Sequence, residues 1–314
     1  MINVELVHLL HKTIRLLAKL FALLLLAGAS SSAWAAITYN SSYSTTVGSS
    51  NGPTQMTFGN SGSKMFISNW AGKEVHEYSL STPYDPSSKG SVITFNPSTN
   101  YGIGGVSFNA NGSAMYISEN VVAPGLTPIS QFDLTSNFSL SGQNTVADAV
   151  FNATNADGGF SPNMRFNSTG TRIYIVETTD GAIRQYNLST AYDLSTAAYS
   201  TSFSIPTSGN NGYDANIKAF ILNPSGTKMY LGGAATQVVY TYNLSTAYDI
   251  SSASYHNEID LDDVNTTLSP SQTHGFEFNS DGSRFFVMDG STNIVHAYDL
   301  DAAYEIVDTT APSI

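Results

Sequence analysis

The chain contains no cysteine. That excludes a disulfide-stapled scaffold, a thiol nucleophile and any cysteine-ligated metal centre. Charge is also scarce. Only 11% of the 314 residues are charged, with 12 Lys+Arg against 24 Asp+Glu and a net charge of −12. A chain so poor in basic residues has nothing with which to neutralise a row of phosphates, which argues against nucleic acid as a partner. There is no H-E-x-x-H, and the six histidines do not cluster as ligands do.

What the chain has instead is 41% hydrophobic residues, enough for a core, and a surface that must be covered by Ser, Thr, Asn and Gly. Such uncharged polar surface is common in exported bacterial proteins. The start of the chain agrees. Lys12, Arg15 and Lys19 precede the apolar run "LFALLLLAGA" (Leu20–Ala29), and Ala33-Trp34-Ala35 follows as an A-x-A pattern. Basic, apolar, then small is the order of a secretory signal, with a membrane anchor as the alternative. The run is short for a bilayer. Residues 1–35 are therefore expected to be a signal peptide cleaved after Ala35. The mature protein is expected to be secreted or at the cell surface, with the periplasm as a further possibility, and not integral to the membrane.

One unit then recurs five times. Its first half reads "MTFGNSGSKMFIS" (Met56–Ser68), "VSFNANGSAMYIS" (Val106–Ser118), "MRFNSTGTRIYIV" (Met164–Val176), "FILNPSGTKMYLG" (Phe220–Gly232) and "FEFNSDGSRFFVM" (Phe276–Met288). Apolar residues alternate on both sides of N-x-x-G-[ST], which predicts two short strands and a tight turn. The glycine recurs as Gly62, Gly112, Gly170, Gly226 and Gly282, as a turn at positive φ would require. The second half, such as "IRQYNLSTAYD" or "VYTYNLSTAYD", predicts a third strand and a polar turn closed by a second aromatic. A variable stretch with a fourth strand completes the unit. The column Met65, Met115, Ile173, Met229 and Phe285 reads as core packing.

Four strands and their turns need about fifty residues, and one such unit cannot bury both its faces. Radial stacking of four-stranded blades solves that problem. The expected fold is all-β: a five-bladed β-propeller of four-stranded antiparallel blades over residues 36–307. The fifth unit lacks a fourth strand, and the N-terminal "ITYNSSYSTTV" (Ile37–Val47) is expected to supply it. The motifs resemble those of bacterial secreted β-propeller repeats of the F-N-x-x-G-[ST]-[KR]-M-Y-[IV] and Y-x-L-S-T-x-Y-D type. They depart from WD40 and kelch signatures, with no Trp-Asp repeat and no double-glycine mark. The tail "VDTTAPSI" (Val307–Ile314) resembles the linker before bacterial immunoglobulin-like domains. Residues 308–314 are thus expected to be a tail, or a linker to such a domain further along the chain.

The N-x-x-G turns and the Y-x-L-S-T turns should share one face of the propeller. The opposite face varies between copies and is the expected place for a site. Its candidates are Gln55, Asn69, Tyr101, Glu119, Asn163, Glu177, Tyr213, Asp214, His274 and Asp289. Aromatics beside Asn, Asp and His suit a carbohydrate, and a protein ligand is the alternative partner. Glu119, Glu177 and Asp289 occupy equivalent places and form the candidate Ca²⁺ set; solvated loop ends are the simpler reading. No catalytic residue stands out, although two carboxylates could still meet for glycoside hydrolysis. The expected function is a non-catalytic binding or adhesion module. The alternatives are a structural spacer in a longer surface protein and a secreted propeller hydrolase of lactonase or glycosidase type.

Overall fold

The computed structural model describes residues 37–45, 52–120, 127–153, 163–178, 181–206, 216–233, 236–264 and 272–307. The expected signal segment 1–35 and the tail 308–314 lie outside them.

The chain forms five antiparallel four-stranded sheets. The first is β2 (Pro53–Gly59), β3 (Lys64–Asn69), β4 (Glu74–Leu80) and β5 (Lys89–Phe95). The second is β6 (Gly102–Phe108), β7 (Ala114–Asn120), β8 (Thr127–Asp133) and β9 (Ala149–Ala153). The third is β10 (Met164–Phe166), β11 (Arg172–Glu177), β12 (Ala182–Leu188) and β13 (Ala197–Ser204). The fourth is β14 (Ile217–Leu222), β15 (Lys228–Gly233), β16 (Val238–Leu244) and β17 (Ala253–Asp260). The fifth is β18 (Thr273–Phe278), β19 (Arg284–Asp289) and β20 (Ile294–Leu300), completed by β1 (Ile37–Ser44) from the other end of the chain. In each sheet the strands follow one another in chain order, and β1 takes the fourth place beside β20. First strands neighbour one another around the axis, and β18 meets β2. The ring is closed as expected, and β20 has no free edge.

The core lies between blades rather than within them. Five apolar clusters each draw residues from two adjacent sheets. The column Met65, Met115, Ile173, Met229 and Phe285 is fully buried, as its pattern predicted.

The repeated motifs have a local physical cause. In the N-x-x-G turns, Asn109, Asn167, Asn223 and Asn279 each accept, through Oδ1, the backbone N–H five residues on, at 2.9–3.0 Å. The turn glycines lie at φ between +68° and +81°. In the Y-D turns, Asp85, Asp193 and Asp249 cap a one-turn 3₁₀ helix by accepting the N–H two residues later, at 2.9–3.0 Å. The two turns are joined. Tyr84, Phe138, Tyr192, Tyr248 and Tyr304 donate their N–H to the carbonyls of Gly62, Gly112, Gly170, Gly226 and Gly282, at 2.8–3.0 Å. Both turns therefore share one face.

Candidate functional site

The opposite face carries the residues singled out from sequence variation. Gln55 is buried at the axis. Its Nε2 donates to the Met164 carbonyl at 3.1 Å, and its Oε1 accepts from the Val106 N–H at 3.1 Å. It ties three blades together, its side chain filling the space beside Gly105 and its backbone lying against Gly275. A Cβ on Gly105 would stand 2.3 Å from Gln55 Oε1, and one on Gly275 would stand 3.1 Å from Gln55 Cα. Asn163 is also buried, and neither of its side-chain polar atoms has a hydrogen-bond partner among the described residues.

The expected calcium set is not gathered. Among the described residues, no three His, Asp or Glu side chains form a group able to hold a metal ion. Glu119, Glu177 and Asp289 lie at or next to the ends of the second strands of three different blades, each one strand out from the axis. Each has local partners. Glu119 accepts from Thr99 and Ser130 hydroxyls, Glu177 from the Thr127 hydroxyl, and Asp289 from Ser291 and Thr292. Asn69 likewise closes its own turn, accepting from the Gly72 N–H at 3.2 Å and donating to Glu74 at 3.2 Å.

His274 is buried beside Lys218. Its Nδ1 lies 2.9 Å from the Pro53 carbonyl and its Nε2 lies 3.2 Å from the Lys218 ammonium. A carbonyl can only accept, so Nδ1 carries the proton and Nε2 accepts from Lys218. Burial, followed by the Lys218 charge, pushes the imidazole pKa down to about 4. Tyr101 is exposed. Tyr213 and Asp214 lie outside the described residues. So do residues 48–51 of "GSSNG" (Gly48–Gly52), which has G-x-S-x-G spacing; that stretch leads into strand β2, not into the helix a nucleophile elbow requires.

A cavity opens at the other end of the axis, on the repeated face. It measures about 330 Å³ and is lined by all five first strands. Two consecutive positions from each strand line it, and the first of each pair is Thr57, Ser107, Arg165, Ile221 or Glu277. These five sit at the same place in the repeat, between two apolar core positions, yet differ in chemistry. Strand alternation combined with that variation marks the column as axial and non-scaffold. The reading by faces missed it because it looked for variation in loops only.

Arg165 and Glu277 meet at the base. Nη1 lies 3.0 Å from the Glu277 carboxylate, and Nη2 donates to the carbonyls of Met56 at 2.8 Å and Phe276 at 2.7 Å. Arg165 is 8% exposed, and its buried Nε has no partner among the described residues. The Ser107 hydroxyl makes no hydrogen bond among the described residues, and it faces the cavity. Phe58, Phe108, Phe166 and Phe278 line the walls, and Tyr84, Tyr192 and Tyr248 join them near the mouth. The backbones of these tyrosines hold positive φ, between +57° and +63°.

No family model and no characterised protein matches the chain in sequence. In structure it is similar to other propellers at low identity. The periplasmic gluconolactonase of Pseudomonas aeruginosa shares 11% identity at a TM-score of 0.46, with 79% of this chain and 66% of that chain covered. The Cps50 (Swd1) β-propeller domain of Myceliophteria thermophila shares 9% at 0.42, covering 76% and 66%. A nidogen/laminin complex gives 11% at 0.45, covering 72% and 70%. The chain thus spans just under two thirds of the length of the first two. These likenesses concern the fold alone.

Proposed function

We propose that this chain is a non-catalytic binding module of the cell exterior that seats the terminal sugar of a glycan in the axial pocket. One observation carries the reading: a chemically varied column of five residues converges, inside an otherwise repetitive scaffold, on one aromatic-walled cavity. A cavity of about 330 Å³ falls at the small end of ligand pockets. Rings on the walls suit the apolar face of a pyranose. The guanidinium and carboxylate at the base offer a donor and an acceptor side by side, so a sugar hydroxyl can bond both. Ser107 adds a hydroxyl that has no partner to lose among the described residues.

A binding role also fits the acids present. Glu277 is the one carboxylate among the lining residues, and Arg165 holds it. Glycoside hydrolysis requires a pair. The leader over residues 1–35 supports an exported protein, and the uncharged polar surface agrees with it.

The test is a glycan array on the full chain, followed by calorimetry on any hit. Ser107→Ala and Glu277→Gln should each weaken binding by about five-fold or more while the fold stays intact. No binding to any glycan, or affinity unchanged in both variants, would overturn the reading.

A further inference from the structure

Trp70 is one of two tryptophans in the chain, and the other, Trp34, lies in the leader. Trp70 follows β3 on the face opposite the axial pocket. It is 40% exposed, and Tyr101, just ahead of β6, is 41% exposed. Trp is highly buried on average, so a 40% exposed indole is unusual. The equivalent positions in the other described copies are Asn120, Thr178 and Gly290, so the scaffold does not require an indole there.

The backbone beneath the pair is held firmly. A Cβ on Gly102 would stand 2.2 Å from Trp70 Cδ1 and 2.4 Å from Nε1, so the indole lies directly on the backbone beside Tyr101. The Trp70 N–H donates to the Gly52 carbonyl at 3.1 Å, and Lys73 Nζ reaches the Asn100 carbonyl at 2.8 Å. Tyr101 N–H donates to Thr99 Oγ1 at 3.0 Å, and the Thr99 hydroxyl donates to Glu119. Ser98 N–H is tied to the Thr145 carbonyl at 2.7 Å. The two rings are presented on a turn of the first blade and an entry loop of the second, which are fastened to each other.

We propose that Trp70 and Tyr101 form a second binding site, a stacking platform for the pyranose rings of a neutral glycan chain. Exposed rings on a pre-ordered backbone lose little freedom on binding. Each ring offers an apolar face, which suits the apolar face of a pyranose. Charge narrows the occupant further. A chain of net charge −12 repels anionic polysaccharides and anionic lipid surfaces, which leaves a neutral glycan. The platform is open, so it takes an internal stretch of chain, whereas the axial cavity takes an end. It does not depend on the axial site.

The full chain carrying Trp34→Phe makes Trp70 the sole indole, and its fluorescence reports the platform directly. The probes are cellohexaose, mannohexaose and chitohexaose. At least one should shift the emission to the blue and protect it from acrylamide, with saturation. Tyr101→Ala should weaken that response about ten-fold, and Glu277→Gln should leave it unchanged. In calorimetry, Trp70→Phe should retain binding and Trp70→Ala should lose it, at melting temperatures equal to the parent's. No saturable response to the three sugars, or a response untouched by Tyr101→Ala, overturns the proposal. So does a response confined to vesicles of phosphatidylglycerol. Loss of binding in Glu277→Gln with the Trp70 response intact would locate a separate axial event.

Discussion

Gly226 lies under the ring of Tyr248: a Cβ on the glycine would stand 2.4 Å from Cγ of that ring. The two residues are also joined by the Tyr248 N–H, which donates to the Gly226 carbonyl at 2.8 Å. Both hold positive φ, +68° and +63°. The glycine is thus required twice, once by its backbone conformation and once by the ring above it. The same pair recurs in every blade, so one strained tyrosine or phenylalanine per blade is held in place by the turn it covers.

Replacement of Gly226 by valine should therefore cost well over about 1 kcal/mol. Gly142 provides the control. Its φ is also +68°, but nothing lies within 4 Å of an added Cβ. Gly142→Ala should cost about 1 kcal/mol and Gly226→Ala clearly more, as measured by urea denaturation. Equal costs would mean that the ring yields.

Three blade junctions share a further bond. The hydroxyls of Tyr116, Tyr174 and Tyr230 donate to the carbonyls of Tyr192, Tyr248 and Tyr304 in the next blade, at 2.5–2.8 Å. At the two junctions that flank the first blade, Phe66 and Phe286 stand in that place. Burial drives the pKa of all three phenols well above the ordinary tyrosine value, so they remain donors across the accessible pH range. Tyr174→Phe and Tyr230→Phe should each lose about 1 kcal/mol in equilibrium unfolding.

Removal of the closing strand tests the ring. β1 buries Ile37, half-buries Tyr39 and Tyr43, and pairs with β20 along its length. Deletion of Ile37–Val47 should lower the melting temperature by at least about 5 °C. The bare edge of β20 should also promote self-association, visible by light scattering. A monomer that melts like the parent would refute the closure.

His274 predicts a pH dependence. Burial and Lys218 keep it neutral in the folded chain down to about pH 4, against an ordinary value of 6.5. Between those values the unfolded chain binds a proton that the folded chain refuses, so stability falls as pH drops through that window. The whole window corresponds to about 3 kcal/mol. Asp289, the nearby acid, opposes the shift but does not cancel it. In His274→Gln the slope of stability against pH should flatten between pH 6.5 and 4, read from urea midpoints.

The repeat, the blade count, the turn glycines and the strand exchange at β1 were legible in the amino-acid order because each arises from local chemistry repeated five times. Asn109 and Asp193 reveal their turns wherever they occur, since their partners lie within five residues. The site was much less legible. Gln55 reads as a candidate ligand residue on the variable face, yet it bonds Val106 and Met164, residues from two other blades. Glu119, Glu177 and Asp289 align in the repeat but stand in separate blades. Arg165 and Glu277 are 112 residues apart and meet only because the ring brings the first strands to one axis. Local pattern carries the blade; contacts across the axis arise from closure, and no window of sequence contains both partners.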